Sequence, residues 1–282
     1  MSSVENGQTS RRVTRAVAKP PQAHFQTVPE TIPVERFDRM PYLMVLTYPR
    51  PNLRQARSRI RQLVELGVER VTFEGRTKIG RLGLVGIGTV GLVVKGMGRG
   101  GEAYALKIRR ADANRESMAE EFRMTQLANR VRVGAPAYGC TRDVMSMRYI
   151  RGVELEDYLK ATTGRGSARR IREMAHALLN QCRKLDLIGL DHGELSNLRK
   201  HVIIDGETPY VIDFESASQN RAMKNVTTAA QYLFVGSRLS PRIKRALSIE
   251  SSDEILEALR RYKREMSDEN YVKFLATFGV TT

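Results

Sequence analysis

Residues 81–110, RLGLVGIGTVGLVVKGMGRGGEAYALKIRR, constrain the fold of this chain more than any other stretch. Apolar residues alternate along it, and glycines recur. The segment MGRGGE breaks the alternation near the middle. Period-two patterning on both sides of a glycine turn predicts a β-hairpin, since alternate residues of a strand share one face. Later segments with helical spacing make the expected class α+β.

Gly86, Gly88 and Gly91 stand in GxGxxGxV order, with Ile87 between the first two and Val93 at the end. Without a Cβ, such a backbone lets a phosphate approach closely. The same spacing marks dinucleotide sites, where it joins a strand to a helix. Here both flanks read as strand, which favours a hairpin that covers phosphates. An ordinary glycine-rich hairpin would satisfy the same residues.

YALKI puts Lys107 in the next strand among aliphatic neighbours. A lysine so placed holds α- and β-phosphates when a helix glutamate braces it. NRESMAEEFRMTQLANRV predicts that helix, with Met118, Phe122 and Leu127 inward. Of Glu120 and Glu121, Glu121 is the expected brace, because Met124 and Leu127 share its face. MSMRYI then reads as a strand entering a linker. Met147 would guard the back of an adenine pocket, with Tyr149 and Ile150 in the linker. A plain core strand leading to a helix explains the same residues.

The stretch GLDHGELSNLRKHVIIDGETPYVIDFESAS, residues 189–218, completes the set. Asp213 ends an apolar strand, where a carboxylate suits Mg²⁺ bound to phosphates. Glu194 is the expected carboxylate for orienting a hydroxyl or a water, with Asp191 as second candidate. His192 is expected to bond the backbone near Asp213 rather than act as a base. Anchoring on the strand VII makes His201 the second metal ligand. An imidazole there brings Mn²⁺ into consideration; Asn197 is the oxygen alternative. Glu215 lacks a glycine's freedom, so its loop is expected to be fixed, and it offers one more carboxylate.

The remaining chain divides by composition. Residues 1–38 are polar, basic and proline-bearing, and read as a disordered arm. Residues 41–78 read as a small β-α-β unit: a buried strand YLMVLTYP, a helix PNLRQARSRIRQLVELG and a strand VERVTFEG. In that helix Leu53, Ala56, Ile60, Leu63 and Val64 are expected inward, and Arg54, Arg57 and Arg61 outward. Residues 80–150 and 151–282 follow as a strand-rich and a helix-rich part. Among 282 residues, 41% are apolar, enough for a substantial core, and the formal net charge is +16. Such a surplus of positive charge points to acidic partners, RNA or a ribosomal particle among them. Neither Cys140 nor Cys182 belongs to a metal-type pair. No apolar run is long enough for a membrane span and no signal core precedes the first helix, so a cytoplasmic protein is expected.

Taken in order, Gly86-x-Gly88-x-x-Gly91, Lys107, Glu121, DHGELS and IDFES resemble the protein-kinase-like fold. HGELS is similar to the HGDLS type of loop in RIO-type kinases and their small atypical relatives, such as the kinase-like ATPase of the tRNA threonylcarbamoyl complex. The string FEGRTKIGRLG…ALKIRR…LDHGELS…KHVII…IDFESAS…NVT…QYLF is similar to a family of predicted archaeal serine/threonine protein kinases. The likeness covers about residues 41–282. It implies a two-lobed fold with a reduced C-terminal lobe, ATP between the lobes, and Mg²⁺ or Mn²⁺. The implied activity is phosphoryl transfer to a hydroxyl of an unspecified protein. An ATPase switch on an RNA or ribosomal particle and a nucleotide-binding pseudokinase are the alternatives. Three positions depart from the pattern. Glu194 stands for an aspartate, Arg199 or His201 for an asparagine, and Glu215 for a glycine.

Overall fold

A computed structural model describes residues 29–280. The first strand, β1 (Glu30–Pro33), leads through a 3₁₀ turn (Val34–Asp38) to α1 (Tyr42–Thr47), α2 (Leu53–Glu65) and β2 (Val68–Phe73). A short hairpin, β3 (Thr77–Ile79) and β4 (Leu82–Leu84), precedes β5 (Gly86–Ile87), β6 (Gly91–Gly98) and β7 (Ala103–Arg109). Next come α3 (Ala119–Arg130), β8 (Ala137–Cys140), β9 (Val144–Arg148) and β10 (Val153–Glu154). The remainder is α4 (Leu155–Ala161), α5 (Ser167–Leu187), α6 (Leu198–His201), β11 (Val202–Asp205), β12 (Thr208–Val211), α7 (Asn225–Gln231), α8 (Ser240–Leu247), α9 (Asp253–Arg264) and α10 (Asp268–Ala276). The class is α+β with antiparallel sheets.

The main sheet runs β1-β2-β6-β7-β9-β8, with β5 folded back on β6. The glycine-rich run forms two hairpins. Gly86 pairs with Val93 across the first, and Val93 pairs with Lys107 across the second. Lys107 in turn faces Met145 on β9. Residues directly opposite in an antiparallel pair share a face, so Val93, Lys107 and Met145 line one side of the sheet. Leu92, Val94, Leu106, Ile108 and Val144 line the other, in one buried core with Phe37, Leu46, Ala56 and Leu63.

Two expectations fail in the first part of the chain. YLMVLT is helix α1, not a strand, so there is no β-α-β unit. Leu43, Val45, Leu46 and Thr47 are all buried. A short apolar run covered on every side has no period that separates helix from strand. Nor does β2 build a layer of its own, because Thr72 pairs with Lys95 of β6. The arm expected over residues 1–38 is corrected at its end. Glu30–Pro33 forms the sheet's edge strand, where a proline is tolerated, and Val34 and Phe37 are fully buried. The rest of that arm lies outside the described residues.

In α2 the side chain of Asn52 caps the helix by accepting from the Gln55 amide. Ala56 and Leu63 face the core and Arg54, Arg57 and Arg61 face out, but Leu53 and Val64 are exposed. The inward face instead carries Arg59, which is wholly buried and pairs with Asp143 at 3.2 Å. Asp143 also binds Arg109, through Nη2 at 2.6 Å, and Gln62.

The helical part is built around α5. Its face of Ile171, Met174, Leu178, Cys182 and Leu185 is buried against β12, α7, α8 and the last two helices. Helix α3 belongs to both parts. Met124 and Ala128 enter the helical core, while Glu121 turns to the sheet.

Candidate functional site

Lys107 is the centre of the site. Its stem crosses the sheet beside Gly91, where a Cβ would come within 3.0 Å of Lys107 Cγ and 3.1 Å of the Ile108 carbonyl oxygen. The passage of the lysine therefore leaves little room for a side chain at position 91. Gly86 and Gly88 are not confined in this way. A Cβ at Gly86 would meet nothing within 4 Å, and at Gly88 only the Gly91 carbonyl at 3.4 Å. The turn between them is closed by the Gly88 amide donating to that carbonyl at 2.8 Å. Arg110 holds the turn from outside, donating to the Gly88 carbonyl at 3.2 Å while its guanidinium lies over the Tyr48 ring.

The Lys107 ammonium donates to Glu121 Oε1 at 2.7 Å, Asp213 Oδ1 at 2.6 Å and Glu215 Oε2 at 2.9 Å. Burial alone would depress its pKa. The surrounding carboxylates, Glu121 first, outweigh that and raise it above the ordinary lysine value. Of the two helix glutamates, Glu121 faces inward and Glu120 pairs with Arg123 in solvent. Burial raises the Glu121 pKa against the pull of Lys107. Its second oxygen has no hydrogen-bond partner among the described residues.

Asp213 follows β12 with φ 70° and ψ 72°, a left-handed backbone. Such a conformation costs a non-glycine residue about 1–3 kcal/mol, and it persists where its surroundings fix it. Here they do. Next to it, Phe214 packs on the His192 ring at 4.9 Å between centroids. The His192 Nε2 donates to the Ile212 carbonyl at 3.0 Å. Burial pushes the His192 pKa down to about 4, so the ring is neutral at pH 7. The His192 amide donates to Asn225 Oδ1, and Asn225 in turn binds Asp186 on α5. Burial tends to raise the Asp213 pKa, but Lys107 outweighs it and holds the carboxyl below its ordinary value.

On the far side of Asp213 lie Glu194 and His201. His201 Nε2 is 3.0 Å from Glu194 Oε2, and its Nδ1 is 3.9 Å from Asp213 Oδ2. The ring is buried, and Nδ1 has no hydrogen-bond partner among the described residues. Ligand atoms of Glu194, His201 and Asp213 all lie within 4.8 Å of one another, and so do those of Glu121, Asp213 and Glu215. A carboxylate on Nε2 fixes the imidazole tautomer and leaves Nδ1 with a lone pair, the usual arrangement of a metal-binding histidine. His201 Nδ1 and Asp213 thus fit a divalent cation that accepts nitrogen and oxygen, with Glu194 orienting the ring. The other set, Glu121, Asp213 and Glu215, already encloses the Lys107 ammonium.

Other candidates are placed elsewhere. Asp191 is buried beside Arg221, with Nε 3.2 Å from Oδ2, and its backbone pairs with Ser218. Arg199 reaches toward Glu154 and Glu156 near α4, not Asp213. Asn197 closes the Glu194 turn through its amide. Met147 sits on β9 opposite Ala105. Tyr149 donates to Glu74 at 2.8 Å, with Lys95 bound to the same carboxylate, and Ile150 is buried beside it in the chain.

Several residues around the site were not foreseen. Arg115 donates to the Glu215 carbonyl and Arg221 to the Ser216 carbonyl, so the loop after Asp213 is clamped from two sides. Ser216 Oγ donates to Glu194 Oε1 at 2.7 Å. Glu74 and Lys95 join Tyr149. Backbone carbonyl partners leave no trace in residue type.

The architecture and the cluster define an α+β protein with a buried lysine–carboxylate centre on one sheet face. No protein-family model matches the chain. Over 121 residues, 42% of its length, it is 31% identical to the uncharacterized protein MJ1211 of Methanocaldococcus jannaschii, and it covers 99% of that protein. The chain belongs to the family of that archaeal protein.

Proposed function

We propose that this chain is an ATP-dependent phosphotransferase of the protein-kinase-like, RIO-like type, with a hydroxyl as phosphate acceptor. The observation that carries this reading is the Lys107 ammonium bound at once to Glu121 of α3 and Asp213 of the loop after β12. Those two partners come from separate elements, the helix after the lysine strand and the loop after β12, 92 positions apart in the chain. Gly86 and Gly88 support it, because the fold itself does not demand glycine at either position. In this reading the Gly86–Gly91 turn covers the phosphates and Lys107 binds the α- and β-phosphates, braced by Glu121. Val93, Met147, Tyr149 and Ile150 border the base.

Asp213 and His201 would hold Mg²⁺ or Mn²⁺. That ion would neutralise charge on the β- and γ-phosphates. Glu194 accepts the proton of the acceptor hydroxyl. Its carboxylate is partly exposed and already accepts a hydroxyl from Ser216, so it is within reach of such chemistry.

A second reading is an ATPase switch on an RNA or ribosomal particle. The net charge of +16 favours it, as does the short path from the site to α7, which leaves little platform for docking a peptide. Incubation with ATP labelled at the γ-phosphate, with Mn²⁺ or Mg²⁺ and with or without RNA, separates the readings. Label on protein supports the first. Free phosphate stimulated by RNA supports the second. A chain that binds no adenine nucleotide refutes both.

A further inference from the structure

We propose that Ser216 is the chain's own phosphate acceptor, taking the γ-phosphoryl group of ATP in cis while Glu194 receives its proton. The inference rests on the phosphotransferase reading and names the hydroxyl that the reading leaves open.

Ser216 Oγ donates to Glu194 Oε1 at 2.7 Å. The other Glu194 oxygen lies against His201, whose ring borders Asp213. A nucleophile, its proton acceptor and the metal-type carboxylate therefore occupy one small volume. Positioning of this kind is the larger part of catalysis in phosphoryl transfer. Burial does not force the contact, because Ser216 is partly exposed and water could satisfy its hydroxyl.

The backbone is arranged to hold this contact. Ser216 ends the short 3₁₀ turn Phe214–Ser216 that begins beside Asp213. Gly193, immediately before Glu194, has φ +91°, and a Cβ there would lie 2.8 Å from the Ser216 carbonyl oxygen. Only a glycine lets the Glu194 loop close on Ser216 this tightly. Arg115 and Arg221 fix the turn through the Glu215 and Ser216 carbonyls.

In the reaction the Ser216 Oγ–Pγ bond forms as the bond from Pγ to the β–γ bridging oxygen breaks. ADP leaves with that electron pair, and the hydroxyl proton passes to Glu194. The product places a phosphate beside Glu194, on a turn whose Glu215 and Ser216 carbonyls Arg115 and Arg221 hold. With a single hydroxyl in this position, the reaction stops at one phosphate per chain.

The test is to incubate the full chain with γ-labelled ATP and Mn²⁺ or Mg²⁺, and to map the label by peptide mass spectrometry. The expected result is a single phosphoserine at Ser216, reaching at most one equivalent, with a half-time that does not change with protein concentration. Ser216→Ala is expected to lose the label while still binding ATP. Label at another residue, or a half-time that shortens as protein concentration rises, overturns the inference. ATP hydrolysis without labelling also overturns it, but leaves the phosphotransferase reading standing. Wild-type chain that binds no ATP takes both down. Mapping on the wild-type chain decides the matter even where the alanine variant fails to fold.

Discussion

Lys107 Nζ and Asp213 Oδ1 are 2.6 Å apart although 106 residues separate them in the chain. The contact joins the second glycine hairpin to the loop after β12 and brings Glu121 and Glu215 to the same ammonium.

Removing the lysine leaves those carboxylates facing one another, with Glu121 buried. Lys107→Met is expected to cost about 3–5 kcal/mol, the range for stripping one partner from a buried pair. Burial already raises the Glu121 pKa, and without Lys107 nothing opposes that. A carboxyl whose folded pKa is raised contributes stability below its unfolded value, lost as pH rises through the folded one. Urea unfolding should therefore show a larger deficit at pH 8 than at pH 5. An equal deficit at both would mean that the carboxylates do not share the ammonium.

Glu215 holds the same nitrogen that a phosphate would need. Glu215→Ala is expected to tighten ATP binding about fivefold, equivalent to ~1 kcal/mol. Calorimetric titration would check this. Unchanged or weaker binding would mean that Glu215 stays in place when nucleotide enters.

A third expectation concerns Asp143, which binds Arg109 two positions beyond Lys107 on β7. Burial alone would raise its pKa, but Arg59, Gln62 and Arg109 hold it below the ordinary value. A depressed folded pKa contributes stability above the unfolded value, which is near 4, and loses it as pH falls through the folded one. Asp143→Asn leaves Arg59 buried without a counter-charge and should lower stability at pH 7 by about 3–5 kcal/mol. The deficit should shrink below pH 4. Urea midpoints at pH 3.5, 5 and 7 test it, and a deficit independent of pH would rule it out.

His201 beside Asp213 implies a preference for Mn²⁺ over Mg²⁺ in the presence of nucleotide, because Mg²⁺ favours oxygen ligands. His201→Asn should reverse that order. Glu194→Gln, which changes the partner of Nε2, should weaken Mn²⁺ binding about 10–100-fold. Electron paramagnetic resonance of bound Mn²⁺, titrated alone and against Mg²⁺ as competitor, reads both. No change in either variant would place the ion elsewhere.

Particular residues show what the sequence could and could not disclose. The glycine hairpins were legible because turn residues and period-two patterning agree in one short window. Glu121 could be told from Glu120 because a helix face is fixed by spacing. Helix α1 was not legible, since four of its six residues are buried and no polar face marks its period. The spacing assigns Arg59 to neither the apolar face nor the arginine face of α2. What makes it a core residue is Asp143, 84 positions further on. Ser216 and its two arginine clamps were equally hidden, because their partners are a long-range carboxylate and backbone carbonyls.

One ammonium among Glu121, Asp213 and Glu215 leaves this cluster short of positive charge. A nucleotide stripped of its counter-ion would meet repulsion there. One escorted by a divalent ion brings the missing positive charge with it. On the phosphotransferase reading, the electrostatic deficit makes the escorted form the true substrate and sets the sequence of arrival.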